Sequence, residues 1–350
     1  MAKVKIGFAG VGFMGQVAHL ANYVKNGDCE VVAIAEPRQE LAKLVAAKYG
    51  IPKVYDHHLA LAEDPDVQAV VASQPHLLNG FISIPLLKAG KSVFVEKPMA
   101  GSLEEAEEMV AAAQGSGAKL MVGFMKRYDA GVAIAKEQLD GFYANGALGD
   151  AGLVNAYCLG GDWTRNIQGP LSTGEAVPPN EGFAPRNPAW MNDAQKNTFN
   201  IYMNIFSHNL NLVRHLFPGK LCVRSALLRE GMLNQATAFE SDGVLINLYG
   251  VGVQVGWWEE KTEVYFQKGW VRVTTPSPMC VQDAASVEVY RGGDVQAVET
   301  RQGKPYWAFR AQADHFVECL KEDKQPRTHG EDCLEDMRLM EEVFKKAEWV

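Results

Sequence analysis

The segment Val4–Gly15, VKIGFAGVGFMG, constrains this chain more than any other part of it. An apolar run ends in glycines at 10, 12 and 15, and a helical pattern follows. G-x-G-x-x-G alone is a weak pattern, but between a strand and a helix it reads as a dinucleotide-binding turn. Gly10 permits the tight turn, Gly12 lets backbone approach a pyrophosphate, and Gly15 allows helix to pack on strand. Phe13 and Met14 complete the turn, and the pyrophosphate sits at the positive end of the helix dipole. Glu36 closes the second apolar run, 21 residues after Gly15, where an acid takes the adenosine ribose hydroxyls. That favours NAD. Arg38, two residues on, could instead reach the 2′-phosphate of NADP, so NADP stays open.

The pattern over the first ~125 residues alternates in the same way. Apolar runs are expected as strands at Val4–Ala9, Val31–Ala35, Val67–Ala72, Ser92–Val95 and Lys119–Gly123. Helices are expected at Arg38–Tyr49 and Asn79–Ala89, with a third opened by Ser102 and Glu105 as a capping box. This predicts a doubly wound parallel sheet, a Rossmann arrangement. The character then changes. A helix is expected over Ala130–Tyr143 and a strand over Leu153–Leu159. A Pro- and Gly-rich stretch, Gly160–Asn197, follows; connections that long are usually functional loops or insertions. A helix is expected over Phe199–Phe217, then strands at Val244–Tyr249, Gly252–Trp257, Glu263–Phe266, Trp270–Thr274 and Ser286–Tyr290. These predict a large, open, mostly antiparallel sheet. Two amphipathic helices close the chain. With 350 residues, two domains are expected, at 1–126 and 127–350.

Composition sets limits on partners. Apolar residues are 47% and charged residues 22%, with a net charge of −8. An acidic balance argues against nucleic acid or an anionic membrane as partner, and no apolar run is long enough to span a bilayer. The six cysteines form no C-x-x-C pair, so neither a zinc site nor a disulfide framework is expected; no metal is assigned, and a cytoplasmic setting with reduced thiols is. An open sheet with one uncovered face favours a homo-oligomer, a dimer or tetramer.

Two further features carry chemistry. Glu96-Lys97-Pro98 follows a buried strand, and ligands of open α/β sheets lie at the carboxyl ends of strands. Lys97 is thereby directed toward the cofactor, where a lysine can share the proton of a hydroxyl or carbonyl. On the later helix, Asn197, Asn200, Asn204, His208, Asn211 and His215 recur at steps of three and four, one face of a helix that is apolar elsewhere. Such a seam needs partners or a wet pocket. His208 is its natural acid/base.

Together with Gly123-Phe124-Met125-Lys126-Arg127-Tyr128, these motifs make the chain resemble the glucose–fructose oxidoreductase / inositol dehydrogenase (Gfo/Idh/MocA) family over nearly its whole length. The resemblance implies NAD(P) in the first domain and a small polyhydroxylated substrate in the cleft beside the second. It implies that Lys97 and His208 handle the proton of the hydroxyl that loses hydride. Gln74, Pro75, Asn79 and Glu96 fall on the cofactor side, Arg127 near cofactor or substrate, and the peptide before Pro98 is often cis. Trp163 and Arg165 are candidates to hold the substrate, with Asn204. The sequence departs from the family at Asn204 and Asn211, where many members have Asp, at Asn79, where a His is common, and in the length of Gly160–Asn197.

The reading is an NAD(P)-dependent sugar or cyclitol dehydrogenase or reductase. The alternative is a glycosidase or lyase that keeps NAD bound and works by oxidation, elimination and reduction. A third possibility is a nucleotide-binding regulator without chemistry.

Overall fold

The computed structural model describes residues 2–164 and 167–350. Arg165, expected on the substrate side, lies outside the described residues. The chain forms two compact units. The first comprises Met1–Gly123, Gln168–Ala189 and Phe309–Met337; the second comprises Phe124–Ile167, Trp190–Ala308 and Arg338–Val350.

The first unit is built on six parallel strands: β1 (Val4–Ala9), β2 (Cys29–Ala35), β3 (Lys53–Tyr55), β4 (Ala69–Ala72), β5 (Ser92–Val95) and β6 (Leu120–Val122). Their order is β3-β2-β1-β4-β5-β6, the doubly wound order with its reversal beside β1. Ile6, Phe8, Val70, Val71, Val93 and Phe94 are fully buried, as strands covered on both faces must be. Each such large side chain contributes about 1.5–3 kcal/mol of burial. The helix after β1 is wound as a π-helix over Gly15–Leu20 and continues as α1 (Ala21–Tyr23). Then come α2 (Gln39–Tyr49), α3 (Leu59–Glu63), α4 (Asn79–Lys88) and α5 (Leu103–Ser116). At α5 the Ser102 hydroxyl accepts from the Glu105 N–H, while the Glu105 carboxylate accepts from Gly101 rather than from Ser102, so only half of the expected box forms.

The second unit holds a nine-stranded sheet. Its strands are β7 (Ala151–Gly160), β8 (Cys222–Leu228), β9 (Gln235–Ser241), β10 (Val244–Gly250), β11 (Glu259–Phe266), β12 (Gly269–Thr274), β13 (Ser286–Arg291), β14 (Ala297–Gln302) and β15 (Ala347–Trp349), in the order β14-β13-β12-β11-β7-β10-β9-β8-β15. Most pairs are antiparallel; β7–β10 and β8–β15 are parallel. Asp242-Gly243 turns β9 into β10 with both residues at positive φ, the requirement of a two-residue hairpin. Burial alternates along β10, with Val244, Ile246 and Leu248 inside and Leu245 and Tyr249 exposed, so one face is covered and the other open. The strand expected over Gly252–Trp257 is absent: that stretch is irregular and β11 begins at Glu259. There the Val255 carbonyl accepts the Asp162 N–H at 2.9 Å and the Val253 N–H donates to the Leu159 carbonyl at 3.3 Å.

The remaining helices are α6 (Ala130–Asn145), α7 (Asp193–Leu216), α8 (Ala308–Lys321) and α9 (Gly330–Lys345). Among the described residues, no helix is long and apolar enough to cross a membrane.

Candidate functional site

The glycine turn does what its spacing requires. Gly10 sits at φ +87°, and a Cβ there would lie 2.6 Å from the Ser73 carbonyl oxygen. A Cβ on Gly15 would lie 2.6 Å from the Gly10 oxygen, so helix and turn are in direct contact. On Gly12 it would meet nothing closer than the Arg38 Nη2 at 3.7 Å. The surface above Gly12 is therefore open, a cradle that a side chain would fill and a phosphate can enter. Phe13 and Met14 are half-buried beside it.

Glu36 stands at the end of β2, buried, with its carboxylate accepting from the Val11 N–H at 3.0 Å. Arg38 folds back on it: Nε donates to Oε1 at 2.7 Å and Nη2 to Oε2 at 3.1 Å. This bond keeps the guanidinium firmly charged. The acid and the base named at this turn are thus one ion pair.

The E-K-P turn follows β5, and the Lys97–Pro98 peptide is cis. Asn79, wholly buried, donates its amide to the carbonyls of Glu96 and Pro98, each at 2.7 Å, and receives the Gln74 amide at 3.1 Å. Pro75 precedes the short turn that leads into Asn79. Glu96 points inward. Its Oε1 pairs with the His19 Nε2 at 2.7 Å and its Oε2 accepts the Lys97 N–H at 3.0 Å. Burial pushes the Glu96 carboxyl up, but the His19 and Lys97 partners outweigh it and hold it below the usual carboxylate range. Lys97 is half-buried. One hydrogen-bonded set therefore joins the residues after β4, the turn after β5 and the first helix.

Besides His19, three residues of this unit escaped the sequence reading. Gln16 donates its amide to the carbonyls of Val11 and Leu171, at 2.8 and 2.9 Å, and accepts the Leu171 N–H at 2.9 Å. Glu175 accepts the N–H groups of Glu40 and Leu41 at 3.0 and 2.9 Å, with the Thr173 hydroxyl on the same carboxylate. Arg186 makes a bidentate pair with Glu108, at 2.6 and 2.7 Å. Residues 168–189 of the long connection thus run along the carboxyl ends of the first sheet. The one sequence signal was the length and composition of that connection.

In the second unit, α7 starts at Asp193, earlier than the apolar periodicity suggested. Asn192 and Gln195 form a reciprocal capping box ahead of it. Along its polar seam Asn197 and Asn204 are exposed, Asn200, His208 and His215 half-buried, and Asn211 buried. The His208 ring meets Phe124 edge-on at 6.3 Å between centroids. The neighbouring Asn209 donates to Glu260 Oε1 at 2.6 Å, and the buried Lys126 ammonium pairs with the same oxygen. The G-F-M-K-R-Y segment is therefore tied both to α7 and to β11. Arg127 is half-buried, and Trp163 is exposed in the connection after β7. Trp190 lies under the Lys345 ammonium, 5.5 Å from ring centre. Lys97 belongs to the first unit and His208 to the second.

Residues 4–124 match the family described as "Oxidoreductase family, NAD-binding Rossmann fold". Over 139 residues the chain is 32% identical to scyllo-inositol 2-dehydrogenase (NAD(+)) of Bacillus subtilis, covering 39% of this chain and 40% of that one. Over 127 residues it is 37% identical to trans-1,2-dihydrobenzene-1,2-diol dehydrogenase of Bos taurus, covering 36% and 37%. The chain thus aligns with about two-fifths of the length of these relatives. A 3-ketoreductase from Actinomadura kijaniata, solved with NADP, has the same fold at TM-score 0.78 and 19% identity, over 99% of each chain.

Proposed function

This chain belongs, through residues 4–124, to the Gfo/Idh/MocA family of NAD-binding Rossmann oxidoreductases, and from that premise we propose that it oxidises a secondary hydroxyl of a sugar or cyclitol, or reduces the matching ketone. The observation that carries this reading is the open surface above Gly12, beside buried Glu36 and in the same unit as the E-K-P turn. These residues fit a dinucleotide. When bound, its nicotinamide supplies a two-electron hydride acceptor or donor. The backbone around Gly10–Gly15 takes the pyrophosphate at the helix start. Glu36 accepts from the ribose hydroxyls, which favours NAD over NADP. Gln74, Pro75 and Asn79 form the wall on the nicotinamide side.

Lys97 Nζ takes or returns the hydroxyl proton, and His208 is the second proton-handling group of the same reaction. Asn79 and Glu96 hold the turn that presents Lys97. Arg127, Trp163, Asn204 and Arg165 are the residues assigned to the substrate, the tryptophan by stacking on an apolar sugar face and the others by hydrogen bonds. The inositol and diol dehydrogenases among the relatives support a polyhydroxylated substrate. The open face of the second sheet, with Tyr157 stacked on Tyr249 and Trp270 on Tyr290, is assigned to a second copy of the chain.

The test is a screen of sugars and inositols with NAD and NADP, read by nicotinamide absorbance, on the wild type and Lys97→Ala. Turnover with the wild type is expected, and turnover at least about 100-fold lower with the variant. No turnover with either cofactor counts against the reading. Cofactor that co-purifies, with no net reduction, points instead to the oxidation–elimination–reduction cycle.

A further inference from the structure

We propose that Glu175 sets the cofactor preference of the dinucleotide site, by filling the start of α2 with a carboxylate of the chain itself and so rejecting the 2′-phosphate of NADP. The inference rests on the dinucleotide reading given above and assigns that site a specificity residue from a distant part of the sequence.

The argument starts from a missing cap. Ser102, Asp129 and Asn192 cap α5, α6 and α7 from the preceding position. At α2 that position is Arg38, whose side chain makes no capping bond. The N–H groups of Glu40 and Leu41 are instead taken by Glu175 Oε1 and Oε2, 135 and 134 residues away. Free N–H groups at a helix start attract anions, and an arginine just after the second strand is how such domains accommodate a 2′-phosphate. This chain has both elements, and both are engaged by carboxylates. Arg38 is held by Glu36 at 2.7 and 3.1 Å, and the α2 start is held by Glu175. A 2′-phosphate carries about −1.5 to −2 charges near neutral pH. It would have to displace one carboxylate while facing the other. The free ribose hydroxyls of NAD bring no such charge.

Glu175 is positioned to do this. Thr173 donates to Oε2 at 3.0 Å, and Leu171 is fastened to Gln16 by two bonds of 2.9 Å. The Glu40 N–H, first among its partners, keeps the carboxyl below the usual carboxylate range. The charge is therefore present at neutral pH.

The experiment is calorimetric titration of the full chain with NADH and NADPH, on the wild type, Glu175→Gln and Glu175→Ala, with thermal melts to confirm folding. The wild type should bind NADH more tightly. Glu175→Ala should shift the ratio of dissociation constants toward NADPH by about tenfold or more, and Glu175→Gln, which keeps the shape and loses the charge, should shift it in the same direction. Binding with an unchanged ratio in both variants, or a wild type that prefers NADPH, overturns the proposal while leaving intact the reading of the chain as a dinucleotide-dependent oxidoreductase. A wild type that binds neither dinucleotide overturns the functional reading first, and this inference with it. Because Glu175→Gln alters one atom's chemistry, it decides the matter even where Glu175→Ala fails to fold.

Discussion

Glu96 Oε1 and His19 Nε2 lie 2.7 Å apart, with side chains 9% and 1% exposed. The pair fastens the turn that presents Lys97 to the helix that follows the glycine turn. Its acid is held below the usual carboxylate range. In the unfolded chain the same carboxyl titrates near its reference value of 4.5. The unfolded state therefore takes up the proton first as pH falls. The stabilisation is present above about pH 4.5 and is lost as pH drops through the lower folded value. Urea midpoints measured from pH 7 down to pH 3 should fall on the acid side. Glu96→Gln should flatten that fall; an unchanged slope would remove Glu96 from the account.

The glycines should separate by role. Gly12→Ala adds a methyl where the nearest atom is 3.7 Å away, so stability should stay within about 1 kcal/mol while dinucleotide binding is lost. Gly10→Ala forces a residue with φ +87° and a 2.6 Å approach to backbone, and should cost at least about 2 kcal/mol. Thermal melts paired with calorimetric titration check both. A Gly12→Ala variant that binds dinucleotide normally would contradict the cradle.

Removing Asn79 strips the carbonyls of Glu96 and Pro98 of their donor. Asn79→Ala should cost about 2 kcal/mol or more, since buried acceptors are left unmade. Turnover should fall as Lys97 loses its support, with binding of dinucleotide less affected. By contrast, Lys97→Ala should leave the melting temperature nearly unchanged and lower turnover by about 100- to 10,000-fold, as should His208→Ala. Steady-state rates set beside melts separate positioning from proton transfer.

Lys126 is buried against Glu260. Lys126→Met leaves that carboxylate with only the Asn209 amide as donor among the described residues, and should destabilise by about 3–5 kcal/mol. Adding Glu260→Gln should recover much of the loss. A double-mutant cycle in urea gives the coupling; additive effects would argue against the pair.

What sequence could reveal depended on the range of the interaction. β1 and β5 are where the apolar runs placed them, the Asp242-Gly243 hairpin follows from two adjacent residues, and Ser102 caps its helix as spacing suggests. These are local rules. The early start of α7 was missed because its box, Asn192 and Gln195, sits in a polar stretch with no apolar period to mark it. The lack of a strand at Gly252–Trp257 was missed because two glycines among apolar residues mimic an alternating strand. Glu175 at α2 and Gln16 at Leu171 join positions 134 and 155 residues apart, and no periodicity encodes such a bond. At the candidate site, residue types were legible at Gly12, Glu36 and Lys97. That Arg38 is committed to Glu36, and Glu96 to His19, required coordinates.

The first unit takes its last piece from residues 309–337. There the Thr328 carbonyl accepts the Val122 N–H at 2.8 Å and its hydroxyl donates to the Val122 carbonyl at 2.6 Å, which seals the edge of β6. A ribosome reaches those residues only after Phe124–Ile167 and Trp190–Ala308 of the second unit have been made. The amino-terminal piece, residues 1–123, must wait, with that edge unprotected, until residues 309–337 have been made. Truncation before Thr328 should therefore deprive cells not of a tail but of half of the folded protein.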